Sequence, residues 1–509
     1  MTITERASAA PVQAPAAARA GWRFVRRHCW FCLVLAAGLA LRALAQTAYR
    51  PALLYIDSEK YLEGSVATAP QGYQALLRAL EPLGGLALVA AVQHAFGLAM
   101  AVALYALLLR RGAPRWATTL AAAPVLLDAY QLQLEQTIMP DVLFETMITA
   151  GLVVLLWRAG PGRRAAWPVA AGALVLGAAV TVREIGAVLI VPVVVFAALT
   201  VPGWRSRVKR AALAAGCFVL PVLAYLAGTF GVTGHFGMAG NGPSPQYGRA
   251  AAAADCATLN VPADQRALCP SPAQTLALGG IDGLLHNPRS PGHTVPVPPG
   301  LTRDEFLDRF ALAVFRQQPL RVAASVASDS VRLLAPARTD DRQVTPLARW
   351  QFQDFYPTYP RRYSMAFLTR LAHAHGSGGD LVAVQPAASF LRSYQLDGGY
   401  APGPLYAAFL VAGVAGVVAG RRRRELAVPC LLVTLSAVVL LVSSDAFQFS
   451  WRYQLPAVTL LPLAGALGVT RPGITRPSWP PSRAWTRTPA WTRRRWPSGT
   501  RRPGRRRPA

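Results

Sequence analysis

The segment Tyr55–Tyr61 brings two carboxylates, a lysine and two tyrosines into one short stretch. Asp57 or Glu59 could act as a general base toward a hydroxyl group, or hold a cation. Side chains two positions apart project together on an extended segment and diverge on a helix. The competing interpretation is a solvated loop without chemistry of its own.

A second acidic group follows further along the chain. Asp141 comes directly after Pro140, where a helix is predicted to begin, so its simplest role is to cap that helix. Glu135 has no such explanation. Asp128 and Glu145 fall inside apolar stretches, where carboxylates are costly and either line a cavity or pair with a cation. Two interpretations therefore stay open, an acidic cavity that extends inward and structural pairing with arginine.

Arg183 and Arg452 add two guanidinium groups whose planar fork matches a phosphate in geometry. For Arg183, an ion pair with Glu184 is an equally good interpretation. The sequence thus offers acids that could move a proton and arginines that could bind an anion. Whether they form one site depends on the elements that carry them.

Those elements are predicted to be membrane-spanning helices. A span needs about 20 mostly apolar residues. Apolar stretches of about that length recur at 31–48, 86–109, 116–133, 139–157, 167–182, 185–201, 211–230, 402–420, 426–443 and 453–470. The fold class that we expect is an all-α polytopic membrane protein with about ten transmembrane helices, amphipathic helices on the outer face and one large extracytoplasmic loop.

The connections between these stretches alternate in charge, which predicts the orientation. Arginine clusters follow the second, fourth, sixth and eighth stretches, and the positive-inside rule places them in the cytoplasm. Most acids then fall on the outer side. Arg42, Arg183 and Arg452 are exceptions to the rule, and this makes them candidates for a bound anion. We expect a multi-pass protein of the inner (plasma) membrane with both termini cytoplasmic.

Composition agrees with this class and argues against a nucleic-acid partner. The chain has 509 residues, only 15% of them charged, and a mean hydropathy of +0.30. Its net charge of +28 would suggest nucleic-acid binding in a soluble protein. Beside a bilayer, arginine instead orients the chain and contacts anionic lipid headgroups. No cleavable signal peptide is evident before the first stretch, which we expect to remain as an anchor.

The predicted organisation has five parts. They are a cytoplasmic N-terminal segment (1–28), seven transmembrane helices with a catalytic outer loop at 50–85 (29–230), the large extracytoplasmic loop (231–401), the last three transmembrane helices (402–470) and a basic, disordered cytoplasmic tail (471–509).

In the large loop, Cys256 and Cys269 face the oxidising side, which predicts a disulfide. Residues 241–300 are rich in Pro, Gly and Ala and are expected to be ordered coil. Thr302 and Glu305 have capping-box spacing and predict a helix that ends before Pro319. A second amphipathic helix is expected over 320–334, and both are expected on or beside the membrane surface. A short amphipathic helix is predicted at 74–80.

Metal-binding patterns are weak in this sequence. It contains no CxxC or HExxH pattern. His373 and His375 are two positions apart and do not share a helix face, which disfavours joint ligation. No metal ligands are assigned, and a divalent cation remains open.

The order of these motifs resembles the C-type glycosyltransferase superfamily. The resemblance is carried by an acid in the first outer loop with an amphipathic helix after it, the Pro140–Asp141 turn, a single Arg183 after the fifth stretch, and Arg452-Tyr453-x-x-Pro456 before the last. It is nearest to bacterial phospholipid-carrier-dependent transferases, which are related to protein mannosyltransferases and the aminoarabinose transferase of lipid A. It covers most of residues 30–470. Asp-Ser-Glu replaces the commoner Asp-Glu pair.

This resemblance implies a function and roles for the site residues. Asp57 would be the general base or acceptor-orienting acid, Glu59 a substitute for the usual second carboxylate, and Glu135 and Asp141 the second acidic site. Arg183 and Arg452 would hold the carrier phosphate. The donor would be a polyprenyl-phosphate-linked sugar and the acceptor a glycan, lipid or protein of the cell envelope. The alternative is a multispan transporter of a small or lipid-linked solute, because buried carboxylates also suit a proton-coupled carrier.

Overall fold

The computed structural model describes residues 25–64, 69–157, 166–234, 236–238, 245–341, 344–360, 362–420 and 424–470. The expectations for residues 1–24 of the N-terminal segment and for the basic tail at 471–509 lie outside the described residues.

The described chain is helical, with 72% of the protein in helices and almost no sheet. The helices are α1 (Cys29–Ala48), α2 (Ser58–Leu62), α3 (Gln71–Arg110), α4 (Arg115–Leu127), α5 (Ala129–Gln136), α6 (Asp141–Trp157), α7 (Trp167–Val180), α8 (Ile190–Leu199), α9 (Trp204–Thr233), α10 (Pro245–Ala253), α11 (Ala263–Arg266), α12 (Pro272–Leu278), α13 (Gly280–His286), α14 (Pro291–Thr294), α15 (Arg303–Gln317), α16 (Pro319–Arg332), α17 (Met365–Ala374), α18 (Ala387–Leu396), α19 (Gly403–Ala419), α20 (Arg424–Phe447) and α21 (Ala457–Gly468).

Short irregular elements connect them. The 3-10 helix Glu184–Leu189 precedes α8, and a second one covers Leu347–Trp350. Strands β1 (Tyr49–Arg50) and β2 (Val382–Ala383) pair antiparallel and join the end of α1 to the large loop.

Four described helices, α1, α3, α9 and α20, are long and apolar enough to cross a membrane. Shorter apolar helices are α7, the run Glu184–Leu199, α19 and α21. Each of the ten predicted stretches contains a helix, so the all-helical fold class is confirmed, and several of these helices could span a membrane by their length and composition. The number of ten spans stays a prediction. The third stretch, 116–133, is not one helix, because α4 ends at Leu127 and α5 begins at Ala129.

Small residues allow the apolar helices to approach closely, as is common where helices pack in lipid. A Cβ atom added at Gly468 of α21 would lie 2.0 Å from the carbonyl oxygen of Ala412 in α19. The backbones of these two helices are therefore in near contact, and a side chain at this position would separate them.

Helix α3 combines a predicted outer helix and a predicted span in one element. The expected amphipathic segment at 74–80 is its outer part, and a break at Gly84 and Gly85 separates it from the long apolar part. Gly85 has φ +61°, and a Cβ there would lie 2.4 Å from the carbonyl oxygen of Gly376. Glycine at this position thus permits both the bend and the docking of the large loop against it.

The first half of the large loop is helical, so the expectation of coil over 241–300 was wrong. Helices α10 to α14 pack with α15 around a separate apolar core that includes Tyr247, Leu268, Phe306 and Phe310. The disulfide between Cys256 and Cys269 is present, with 5.9 Å between the Cα atoms.

The two predicted loop helices are present, and their packing differs from the expectation. Thr302 and Glu305 form the expected capping box at the start of α15. The apolar face of α15 is buried in the loop core, not laid on a membrane surface. Helix α16 packs against α20 and leaves Leu320 and Val331 exposed.

Candidate functional site

Four of the predicted site residues lie at helix ends that meet on one side of the bundle. Asp57 directly precedes α2, and Asp141 is the first residue of α6. Arg183 follows α7, and Arg452 precedes α21. Contacts between their side chains show that these four chain segments, far apart in sequence, form one cluster, which we call the ion cluster (Asp57, Asp141, Arg183, Arg452).

Arg452 is the centre of the ion cluster. Its Nε donates to both oxygens of Asp141, at 3.1 and 3.0 Å, and its Nη1 donates to Asp57 Oδ2 at 2.7 Å. The side chain is only 5% exposed. The rings of Trp350 and Tyr453 lie 5.6 Å from its guanidinium carbon. A buried guanidinium that binds two carboxylates is strongly fixed in position, because several charge-assisted hydrogen bonds hold it.

Two further cations contact the carboxylates of the ion cluster: Arg183, itself a member, and Lys60, which lies outside it. Arg183 donates to the same carboxylate, Asp141, and its guanidinium carbon lies 4.9 Å from the Tyr453 ring. Lys60 lies 3.5 Å from Asp57 and is 43% exposed. Three cations and two carboxylates leave a net charge of 3 − 2 = +1. This surplus favours an anion at the cluster.

The cluster shifts the proton affinity of its members. Burial alone would raise the pKa of Asp57, but Lys60 and Arg452 outweigh burial and hold this pKa well below its ordinary value. Burial would likewise lower the pKa of Arg452, but Asp141 and Asp57 outweigh it and raise this pKa. In this arrangement Asp57 is a carboxylate and a weak base.

Glu59 does not join the ion cluster. Because α2 is helical, Asp57 and Glu59 diverge, as the sequence allowed. Glu59 accepts hydrogen bonds from Arg362, at 2.6 Å, and from Tyr363, at 2.9 Å. It therefore ties the segment between α1 and α3 to the large loop.

Glu135 is also apart from the cluster, in a buried ion pair. Arg42 donates to it at 2.7 Å, and His94 Nδ1 lies 2.8 Å away. Arg42 also donates to the carbonyl oxygens of Val125 and Leu126, at the end of α4. These partners account for both Glu135 and Arg42 without a bound anion, and the catalytic role of Glu135 stays a prediction.

Asp128 and Glu145 have different surroundings in the structure. Asp128 caps α5 by accepting from the Tyr130 N–H at 2.9 Å, and it pairs with Arg338 at 3.1 Å. It also lines a cavity of about 610 Å³ beside α18. Glu145 is fully buried, and neither of its oxygens forms a hydrogen bond.

The large loop contributes groups that the sequence did not single out. Arg349 lies 3.5 Å from Asp282 and 3.4 Å from the hydroxyl oxygen of Tyr55. The ring of Tyr55 packs 4.7 Å from that of Trp350 and 5.1 Å from that of Tyr359. Arg349, Trp350 and Tyr359 of the large loop thus surround Tyr55, two positions before Asp57, and no local pattern in the sequence marks these three residues.

The donor set at the ion cluster does not suit a divalent cation. Within the described ranges, no group of three or more His, Cys, Asp or Glu side chains could hold a metal ion. The two carboxylates of the cluster are both satisfied by Arg452, whose positive charge lies between them. We therefore derive no step through a metal at this site.

The fold and the site define a helical protein with several helices long and apolar enough to span a membrane, and with a buried ion cluster at the ends of its helices. Comparison with protein-family models, curated proteins and solved structures gives no match for this chain.

Proposed function

We propose that this protein is an integral membrane glycosyltransferase that moves a sugar from a polyprenyl-phosphate donor to a cell-envelope acceptor. The observation that carries the proposal is the ion cluster, in which Arg452 and Arg183 converge on Asp141 while Arg452 also holds Asp57. Together with Lys60, the ion cluster combines a net charge of +1 for a phosphate with a carboxylate for a hydroxyl proton, at the ends of apolar helices that suit a lipid carrier.

The proposed topology follows from the same helix ends. The start of α2, the start of α6, the segment after α7 and the segment before α21 meet at the cluster. On the opposite side, Arg110 at the end of α3 donates to the carbonyl oxygen of Trp157 at the end of α6, at 2.9 Å. This arrangement supports the alternation of cytoplasmic arginines and outer acids. Ten spans, cytoplasmic termini and the inner membrane are part of the proposal.

The chemistry requires a rearrangement of Arg452. Paired with Arg452 and Lys60, Asp57 has a low proton affinity. A donor phosphate competes with Asp57 for these cations, and the proton affinity of Asp57 then rises. Asp57 accepts the proton of the acceptor hydroxyl as its oxygen bonds to the anomeric carbon. The bond from that carbon to the phosphate oxygen breaks, and the polyprenyl phosphate leaves, stabilised by Arg183 and Arg452.

The test compares cells that lack the protein after complementation with wild type, Asp57→Asn or Asp264→Asn at matched expression. Asp264 is an exposed aspartate of the large loop and serves as the matched control. Envelope glycans, glycolipids and the polyprenyl-phosphate sugar pool are measured by mass spectrometry. We expect wild type and Asp264→Asn to restore one sugar modification, while Asp57→Asn fails to restore it and accumulates a carrier-linked sugar.

Two results would contradict the proposal. If Asp57→Asn restores the same glycans as wild type, Asp57 is not the base. If no glycan differs among the strains, the protein is not a transferase for the envelope.

A transporter is the second candidate, and the buried carboxylates Glu135 and Glu145 favour it. Both are fully buried along helices of the bundle. Such groups often bind coupling ions in carriers. A solute gradient across proteoliposomes that depends on the protein, without any sugar transfer, would support this candidate.

A further inference from the structure

His94, on α3, is buried, and both of its ring nitrogens face oxygen atoms. Nδ1 lies 2.8 Å from Glu135 Oε2, and Nε2 lies 2.8 Å from Gln136 Oε1. A neutral imidazole has one donor and one acceptor nitrogen, whereas an imidazolium has two donors. The number of protons on His94 therefore follows from what its two partners can offer.

The amide oxygen of Gln136 can only accept a hydrogen bond from His94. The amide nitrogen of Gln136 donates to the carbonyl oxygen of Tyr49 at 2.7 Å. If this amide were turned by half a rotation, its oxygen would face the Tyr49 carbonyl, and two acceptors would repel each other. The orientation of the amide is thus fixed, and Nε2 of His94 carries a proton.

The carboxyl group of Glu135 is held in its charged form by the donors around it. Arg42 Nη2 and Gln131 Nε2 donate to its Oε1, at 2.7 and 3.1 Å. Hydrogen bonds of this kind favour the carboxylate, so Oε2 is an acceptor as well. Because two acceptors would repel at 2.8 Å, Nδ1 of His94 must donate to Oε2. Both ring nitrogens then carry protons, and His94 is an imidazolium.

The surroundings of Glu135 accommodate two positive groups. Arg42 and His94 on either side of one carboxylate leave a net charge of 2 − 1 = +1. Arg42 also donates to the carbonyl oxygens of Val125 and Leu126, at the C-terminal end of α4. The helix dipole is negative at that end and offsets part of the positive charge.

Glycine at position 97 gives these groups room. A Cβ atom there would lie 1.9 Å from Glu135 Oε1 and 2.6 Å from Arg42 Nη2. On the other helices packed against α3, Glu145 of α6 interacts electrostatically with Glu135, and α21 has no ionisable side chain. The remaining charged groups of these helices have the partners described above or lie at the start of α4: Glu59, Lys60, Asp128, Asp141 and Arg115.

The end of α5 carries the segment that contains Asp57. The Gln136 carbonyl oxygen accepts from the Leu53 N–H, and the Ile138 N–H donates to the Leu53 carbonyl oxygen, both at 2.9 Å. The hydroxyl of Ser58, next to Asp57, donates to the Ile138 carbonyl oxygen at 2.9 Å. The position of Asp57 therefore depends on where α5 ends.

We propose that His94 is a buried imidazolium that fixes the end of α5 to α3, and that loss of its proton releases the segment that leads to Asp57. Without the Nδ1 proton, His94 and Glu135 would present lone pairs to each other, and the contact between the two helices would break. His94 is thus a positioning residue that makes the fold sensitive to alkaline pH. This inference does not depend on the transferase proposal, because it concerns a protonation state and not turnover.

The first experiment observes the ring nitrogens of His94 by solid-state NMR. The full-length protein, with ¹⁵N-labelled histidine, is reconstituted in phospholipid vesicles at about pH 7.5, where an ordinary histidine is mostly neutral. The signals of His94 are assigned by their loss in His94→Gln. We expect both nitrogens to carry protons in wild type. In Glu135→Gln the new amide N–H can donate to Nδ1, so we expect a proton on Nε2 alone.

The second experiment measures unfolding in detergent as a function of pH. The folded protein should keep a proton that histidine in the unfolded chain releases above about pH 6.5. The stability of wild type relative to His94→Gln should therefore fall as the pH rises, by up to about tenfold in the folding equilibrium constant for each pH unit. If His94→Gln does not fold, Glu135→Gln replaces it, because this variant also lacks the retained proton.

His373→Gln is the matched control for both experiments. His373 is an exposed histidine of the large loop. This variant should keep the NMR signals of His94 and the pH dependence of wild type.

Three results would overturn the proposal. The first is a ring nitrogen of His94 that lacks a proton in wild type at about pH 7.5. The second is an imidazolium at His94 in Glu135→Gln, because the carboxylate then does not hold the proton. The third is an equal pH dependence of unfolding in wild type, His94→Gln and Glu135→Gln, because no proton is then retained on folding.

Discussion

Replacing Arg452 with lysine should destabilise the protein although the positive charge is kept. Arg452 makes three hydrogen bonds, of 2.7, 3.0 and 3.1 Å, to two carboxylates. A lysine ammonium is a point charge without the planar fork, so it cannot hold Asp57 and Asp141 in the same geometry. Each hydrogen bond to a charged group contributes about 1.5–3 kcal/mol. Loss of one of these hydrogen bonds and partial loss of a second should lower the free energy of unfolding by about 2–4 kcal/mol.

The assay is equilibrium unfolding in detergent micelles with wild type, Arg452→Lys and Arg321→Lys. Arg321 is the matched control, because it also faces an aspartate, Asp255, at 3.7 Å, but is 58% exposed. Exposed pairs contribute about 0–1 kcal/mol, and lysine can replace arginine in them. We therefore expect Arg321→Lys to remain within about 0.5 kcal/mol of wild type.

A double-mutant cycle then tests whether the loss comes from the ion cluster. Asp141→Asn removes the charge that Arg452 Nε contacts, so the effects of Arg452→Lys and Asp141→Asn should not add. The reasoning is refuted if Arg452→Lys is as stable as Arg321→Lys, or if the two cluster changes are additive. Either result means that the cluster contributes no more than an exposed ion pair.

Three further outcomes are expected. A membrane-impermeant amine reagent applied to spheroplasts should label Lys60. Lys209, the only other lysine, should stay unlabelled until the membrane is opened. The reverse labelling pattern would mean that the orientation is opposite to the proposed one. Because the folded pKa of Asp57 lies below its ordinary value of 3.8, the contribution of Asp57 to stability should be complete above about pH 4 and should fall only below that pH. Unfolding of wild type and Asp57→Asn from pH 3 to 8 measures this contribution as the difference between the two free energies of unfolding. A difference that shrinks between pH 7 and 5 would contradict the expectation. Replacing Cys256 and Cys269 with serine should lower the stability of the large loop by about 2–4 kcal/mol. The measurement is the rate of proteolysis of residues 245–341 in intact membranes, which should increase. An unchanged rate would be evidence against the disulfide.

Much of the helical framework could be predicted because long apolar runs and capping patterns are local signals. The capping box at Thr302 and the helix before Pro319 follow from neighbouring residues alone. The short helices of the loop escaped prediction, because segments such as Ala263–Arg266 and Pro291–Thr294 are too short to show a period. They owe their structure to the core formed with α15.

The site was predictable in part for a related reason. The alternation of charge placed Asp57, Asp141, Arg183 and Arg452 on one side, and they meet there. Sequence could not tell that Glu135 pairs with Arg42, because that pairing depends on how α1 crosses the break between α4 and α5. In the sequence, Glu135 and Arg42 resemble the cluster members, because they too are charged residues in or beside the apolar stretches.

The ion cluster also constrains how the protein is made. Its acids, Asp57 and Asp141, leave the ribosome long before Arg452, which precedes α21, the last helix of the described residues. During most of synthesis, therefore, Asp141 has only Arg183, and Asp57 has only Lys60. The segment before α21 then supplies the guanidinium group that joins both acids. A chain that stops before Arg452 therefore has one cation for each acid but no group that joins the two ion pairs, so the segments that carry them are not yet held together.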